Sequence, residues 1–135
     1  MSGLPEVLAA SDYVVNILPL TEKTVGLFDG AVFSRMKPSA FFVNIGRGPS
    51  VVTDDLVHAL QNGIIGGAGL DVTEPEPLPE DHPLWALDNV IITPHTAGQT
   101  EHYSDRVADL FIRNLRAYTA TGRPERNVVD YNQKY

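Results

Sequence analysis

A chain of 135 residues with 43% hydrophobic side chains can bury one modest core, so a single domain is the default expectation. A formal charge of -7 with no basic run disfavours a nucleic-acid or anionic-membrane surface. The absence of cysteine excludes disulfides and thiolate chemistry, no apolar run reaches membrane-spanning length, and residues 1–5 lack the charged and apolar regions of a leader, so a soluble cytoplasmic protein is expected.

Leu4, Val7 and Leu8 fall at i, i+3, i+4 and predict a short helix over 4–10, closed by Ser11 and Asp12. Residues 13–18 form a β-rich apolar run stopped by Pro19. Residues 21–28 read as a helix with Thr21 as N-cap, and 31–36 as another turn or two before Lys37 and Pro38. The next strand, 40–45, runs directly into Gly46-Arg47-Gly48-Pro49. Thr53 reads as the cap of a helix with Asp54 and Asp55 in its first turn, Leu56, Val57 and Leu60 on one face, and Gly63 at its end.

Residues 64–72 and 89–93 are short aliphatic strands without polar alternation, the pattern of strands covered on both faces. Between them Pro75, Pro77, Pro79 and Pro83 remove backbone donors and fix φ, which predicts a stiff loop carrying Glu74 and Glu76. Thr100 can cap a long helix whose Val107, Leu110, Phe111, Asn114, Leu115 and Tyr118 share one stripe, ended by Gly122-Arg123-Pro124.

Four short strands separated by helical patterns at intervals of about 25 residues predict an α/β fold with a parallel sheet of right-handed βαβ units. In such a sheet ligands bind at the carboxyl ends of the strands. Those ends are Leu18-Pro19, Asn44-Ile45-Gly46-Arg47, Asp71 to Glu76, and Thr93-Pro94-His95, so the polar candidates share one rim. Taken singly they have plain readings as a surface arginine, a solvated loop acid and a strand-end histidine. Together they suit proton transfer on an anionic substrate: Arg47 can hold a carboxylate through two charge-assisted hydrogen bonds, and Glu76 beside His95 would favour the imidazolium as proton donor. The four histidines have no metal-ligand spacing, and no G-x-S-x-G elbow occurs, so no metal site and no serine nucleophile are expected.

Four segments then carry a resemblance over nearly the whole chain: Leu18-Pro19-Leu20-Thr21-x-x-Thr24-x-Gly26-Leu27, Asn44-Ile45-Gly46-Arg47-Gly48, Gly69-Leu70-Asp71-Val72-x-x-x-Glu76-Pro77-Leu78-Pro79, and Asn89-Val90-Ile91-Ile92-Thr93-Pro94-His95-x-Ala97-Gly98. The chain resembles the D-isomer-specific 2-hydroxyacid dehydrogenases, and most closely the glyoxylate/hydroxypyruvate reductase and phosphoglycerate dehydrogenase-like members. The resemblance implies hydride transfer between NAD(H) or NADP(H) and a 2-keto or 2-hydroxy acid. It implies that Arg47 binds the substrate carboxylate and keto oxygen, that His95 is the acid/base, and that Glu76 is its paired acid. It places Asp71 near the nicotinamide amide, and Leu18, Pro19, Thr24, Ile45, Gly46, Arg47, His95, Ala97 and Gly98 around the cofactor.

The chain departs from the family in having no G-x-G-x-x-G. The expectation is the C-terminal half of a Rossmann-like domain over 1–122 and a C-terminal tail over 123–135, without the N-terminal substrate domain. Poor cofactor affinity, an inactive isolated chain, and self-association or homodimer formation through the uncovered edge at 13–18 follow from that expectation. A non-catalytic binding or assembly module derived from the family is the alternative, against which the complete set of Arg47, Glu76 and His95 weighs.

Overall fold

The computed structural model describes residues 3–132, which fall into two compact units, one running through Ala97 and the other starting at Gly98. In chain order the first unit carries α1 (Leu4–Ala10), β1 (Tyr13–Asn16), α2 (Gly30–Phe33), β2 (Phe41–Asn44), α3 (Thr53–Gln61), β3 (Gly67–Leu70) and β4 (Val90–Ile92). The second carries α4 (Tyr103–Thr121). The four strands pair in parallel in the order β1-β2-β3-β4, as expected of successive βαβ units.

The register decides which face is packed. Val14, Phe42, Ala68 and Val90 are aligned across the sheet and face a core that also holds Leu8 of α1, Phe33 of α2 and Leu56 of α3. Phe42 is its centre, with the Phe33 ring edge-on at 5.3 Å and the Phe28 ring tilted against it at 4.9 Å. Burying each such side chain contributes about 1.5–3 kcal/mol. The neighbouring register, Val15, Val43, Gly69 and Ile91, lies on the other face, where Tyr13, Val15, Phe41 and Ile91 are exposed. The reading of 64–72 and 89–93 as covered on both faces is corrected for 89–93, where Ile91 is exposed on this second face, while every residue of Gly67–Leu70 is buried or half-buried; within the described residues the helices of the first unit pack on one side of the sheet. An uninterrupted aliphatic run does not say which chain segment covers its second face.

The helices follow their sequence signals with three exceptions. The segment 21–28 is not a helix but turns over 22–26, because Thr24 is buried and its hydroxyl accepts from the Thr21 N–H and donates to the Pro19 carbonyl. Gly26 then reverses the chain at φ 60, and Phe28 bridges in parallel to Val51. Thr53 lies inside α3, whose N-cap is Val52, since the Thr53 hydroxyl donates to the carbonyl of Glu74 in the proline-rich loop. The expected cap Thr100 lies upstream of α4, whose N-cap is His102. The strands are also shorter than read, stopping at Asn16, Asn44, Leu70 and Ile92. No helix among the described residues is long and apolar enough to cross a membrane.

Candidate active site

The carboxyl ends of β1 and β2 are held by a buried polar knot. Asn16, Asn44 and Ser50 are 1%, 1% and 0% exposed, values tolerable only because each polar atom has a partner. The Asn16 Nδ2 donates to Asn44 Oδ1 at 2.9 Å and to Ser50 Oγ at 2.7 Å, while Asn16 Oδ1 accepts from the Leu18 N–H at 3.1 Å. Asn44 Oδ1 accepts from the Gly46 N–H, and the Arg47 carbonyl accepts from both Asn44 Nδ2 and Ser50 Oγ. One network thus fixes Leu18-Pro19 beside Gly46-Arg47. The strand ends approach so closely that a Cβ on Gly46 would lie 2.9 Å from the Leu18 carbonyl oxygen. Sequence reading marked Leu18, Pro19, Ile45, Gly46 and Arg47 but missed Asn16 and Ser50; the asparagine ending each strand run was the available signal.

The second half of the rim is organised by Asp71. Its Oδ1 accepts from the Thr93 hydroxyl at 2.6 Å and the Thr96 N–H at 2.8 Å, and its Oδ2 from the Ala97 N–H at 2.8 Å. These bonds clamp the turn after β4, in which His95 adopts a left-handed backbone at φ 53. Such a conformation is uncommon for a side chain with a Cβ and persists when its surroundings over-determine it. The turn presents the His95 ring to Glu76, with Nδ1 2.7 Å from Oε1 and both side chains about half exposed. Asp71, Glu76, Trp85, Thr93, Pro94 and His95 share the wall of a cavity of about 270 Å³. Trp85 is a wall residue that sequence reading did not single out; its indole N–H donates to the Pro79 carbonyl and so ties the tryptophan to the proline-rich loop.

The Thr93 hydroxyl bond holds the Asp71 carboxyl below its usual range; burial opposes it, and the Ala97 and Thr96 amides and the charge of a protonated His95 add to the depression. A depressed carboxyl contributes stability that is complete above its unfolded value of about 4 and is lost as pH falls through the lower folded value. Acid titration followed by amide exchange should therefore show the Thr96 and Ala97 N–H groups opening below about pH 4. Asp71→Asn should remove that dependence.

Not every expected site residue meets at the cavity. Arg47 is outside its lining, and its guanidinium donates to the Gly46 carbonyl at 2.7 Å. Its loop nevertheless abuts the acidic one, since a Cβ on Gly48 would collide with the Thr73 carbonyl. Thr24 is committed to its own turn, Ala97 reaches Asp71 through its backbone, and Gly98 opens the second unit. A carboxylate-paired imidazole on an open, partly apolar cavity, beside a loop bearing an arginine, can hold and transfer a proton on a small anion.

Similarity to known proteins follows the same segments. The family described as "D-isomer specific 2-hydroxyacid dehydrogenase, NAD binding domain" matches residues 1–97. The glyoxylate/hydroxypyruvate reductase B of Citrobacter koseri is 46% identical over 127 residues, covering 94% of this chain and 39% of that protein. The human glyoxylate reductase/hydroxypyruvate reductase is 46% identical over 113 residues, 84% of this chain and 34% of that one. Among solved structures, a D-isomer specific 2-hydroxyacid dehydrogenase from Xanthobacter autotrophicus in complex with NADPH and MES superposes with a TM-score of 0.89 at 41% identity. All of this chain and 55% of that one are covered. The chain thus spans about two fifths of the length of the curated relatives it matches. By the match over its sheet and rim, this chain belongs to the D-isomer-specific 2-hydroxyacid dehydrogenase family, as part of its NAD-binding domain.

Proposed function

We propose that this rim is the acid/base side of an oxidoreductase site that interconverts a 2-keto acid and a D-2-hydroxy acid. The observation that carries the reading is the 2.7 Å pair of His95 and Glu76 on the wall of the 270 Å³ cavity. In the reduction His95 gives its proton to the keto oxygen as that oxygen gains charge, and takes one back in the reverse direction. Glu76 keeps the ring oriented and balances the imidazolium. Arg47, once its side chain leaves the Gly46 carbonyl, holds the substrate carboxylate through a charge-assisted pair. Glyoxylate and hydroxypyruvate, from the names of the relatives, are the first substrates to test.

NAD(H) or NADP(H) supplies or accepts the hydride when bound. Pro19 and Ile45, exposed beside Gly46 at the ends of β1 and β2, offer the apolar wall that a nicotinamide ring requires. Leu18, Pro19, Thr24, Ile45, Gly46, Asp71, Ala97 and Gly98 are the proposed cofactor-side residues, with Thr24 acting through the turn it ties. Residues 1–122 are read as a partial NAD(P)-binding domain and 123–135 as a tail.

Arg47→Ala, made in the complete product of the gene, should raise KM for the keto acid by about 100-fold while KM for the nicotinamide cofactor changes little, as expected for loss of a bidentate charged contact. Equal changes in both constants would count against a carboxylate role.

The proposal includes a cytoplasmic setting, consistent with the lack of cysteine. It also includes a homodimer or larger assembly of this chain, favoured by β1 lying at a sheet edge with Tyr13 and Val15 exposed. Sedimentation of the 135-residue chain should give species heavier than its 14.7 kDa monomer. A monomer at high concentration would contradict this.

A further inference from the structure

A second cavity, of about 240 Å³, lies within the unit that starts at Gly98 and plays no part in the chemistry above. It is lined by Arg106, Asp109, Leu110, Arg113, Arg126 and Asn127. We propose that this cleft binds a small multivalent oxyanion, a phosphate group or a compact polycarboxylate, through its three guanidinium groups.

The helix supplies half of the site. Arg106, Leu110 and Arg113 stand at i, i+4 and i+7 of α4, which puts two arginines on one face with an apolar side chain between them. The chain beyond the helix supplies the other half. Gly122 ends α4 in a left-handed conformation at φ 75, and Asn114 then fastens the returning segment to the helix. Its Oδ1 accepts from the N–H of Glu125 at 3.0 Å and of Arg126 at 2.9 Å, and its Nδ2 donates to the Arg126 carbonyl at 2.9 Å. This clamp sets the backbone of Arg126 beside the helical pair before any ligand arrives, so less ordering is lost on binding.

The charge at the cleft is poorly compensated. Against three arginines the lining offers one carboxylate, Asp109. Among the described residues no ion pair within 4.0 Å involves Arg106, Asp109 or Arg113, and Arg126 reaches only Glu125, at the 4.0 Å limit. The excess is local, because six of the chain's ten basic residues but only five of its seventeen acids lie in positions 98–135. Like charges held together repel, and an oxyanion removes that repulsion while accepting the fixed fork of donors that each guanidinium presents. The volume sets the ligand's size: 240 Å³ falls below the roughly 300–1,000 Å³ of sites for drug-sized molecules, so a whole nucleotide would not be enclosed.

The test is a titration of the isotope-labelled full chain, at constant ionic strength, with inorganic phosphate in one arm and citrate in another, against chloride as reference. The Nε–H signals of Arg106, Arg113 and Arg126 should move together and saturate, with half-saturation at about 1 mM. Saturation by phosphate alone or by citrate alone supports the site and identifies its chemistry. Arg113→Gln should weaken binding about tenfold, Asn114→Ala should weaken it by releasing Arg126, and Arg35→Gln, an equal charge change outside the cleft, should leave it unaltered. Linear shifts no larger than those with chloride, or saturation untouched by Arg113→Gln in a variant with an otherwise unchanged spectrum, would overturn the proposal.

Discussion

His95→Gln is expected to lower kcat for keto acid reduction by about 10² to 10⁴, the range for loss of a positioned acid or base, with little change in KM for either substrate. Glutamine keeps a polar side chain of related reach but has no proton to exchange near neutrality. The effect should not spread to folding: His95 is about half exposed, and its turn is clamped by Asp71 through the Thr93 hydroxyl and the amides of Thr96 and Ala97, none of which belongs to the imidazole. Glu76→Gln should act in the same direction, because the ring loses the carboxylate that stands 2.7 Å from its Nδ1 and holds its orientation. Steady-state rates across pH for the three proteins, with a melting curve for each, separate these effects. A variant that melts like the parent and turns over like the parent would remove His95 from the chemistry.

The second large effect is expected at Gly48, and it concerns stability. A methyl group there would run into the carbonyl of Thr73, a backbone atom that cannot swing aside as a side chain would. Either the Gly46-Arg47-Gly48 turn or the Thr73-Glu74 segment must move, at about 3 kcal/mol or more by the measure of overpacked interiors. For a unit of this size Gly48→Ala should lower Tm by about 12 °C or more. Because the same contact sets the arginine loop against the acidic loop, KM for the keto acid should rise even well below the new Tm. A change in Tm of a degree or two would show that the two loops are not in contact.

The order of strands and their carboxyl-end rim were legible because the information is local. Short aliphatic runs over 13–18, 40–45, 64–72 and 89–93, with helical periodicity between them, leave few topologies. Two of the helix misreadings share a physical origin, which is that a threonine hydroxyl bonded outside the helix it was expected to join. Thr24 folded residues 22–26 into turns by bonding to Pro19, and Thr53 gave its hydroxyl to Glu74, twenty-one positions away. Neither choice is visible in propensity.

The site divides in the same way. The pairing of His95 with Glu76 was readable as two groups at the ends of β3 and β4, and the structure brings them together. The reason His95 points where it does was not readable, since it depends on a threonine and two backbone amides gathered by Asp71. Likewise Asn16, Asn44 and Ser50, which position the Arg47 loop, look like ordinary polar residues until the fold buries them. The exposed face of the sheet marks the limit of the pattern: Ile91 lies in a run read as covered on both faces, and nothing in its own sequence says what lies over it.

The most direct measurement is the oxidation of NADH or NADPH by the complete product of this gene in the presence of glyoxylate or hydroxypyruvate, with the hydroxypyruvate product resolved by chirality. The account predicts stoichiometric consumption of reduced cofactor and keto acid, yielding glycolate from glyoxylate and the D-hydroxy acid from hydroxypyruvate, at a rate that His95→Gln reduces by at least about 100-fold. No turnover with any short 2-keto acid, from a protein that is folded and binds the cofactor, would contradict it and favour a binding module built on the same sheet.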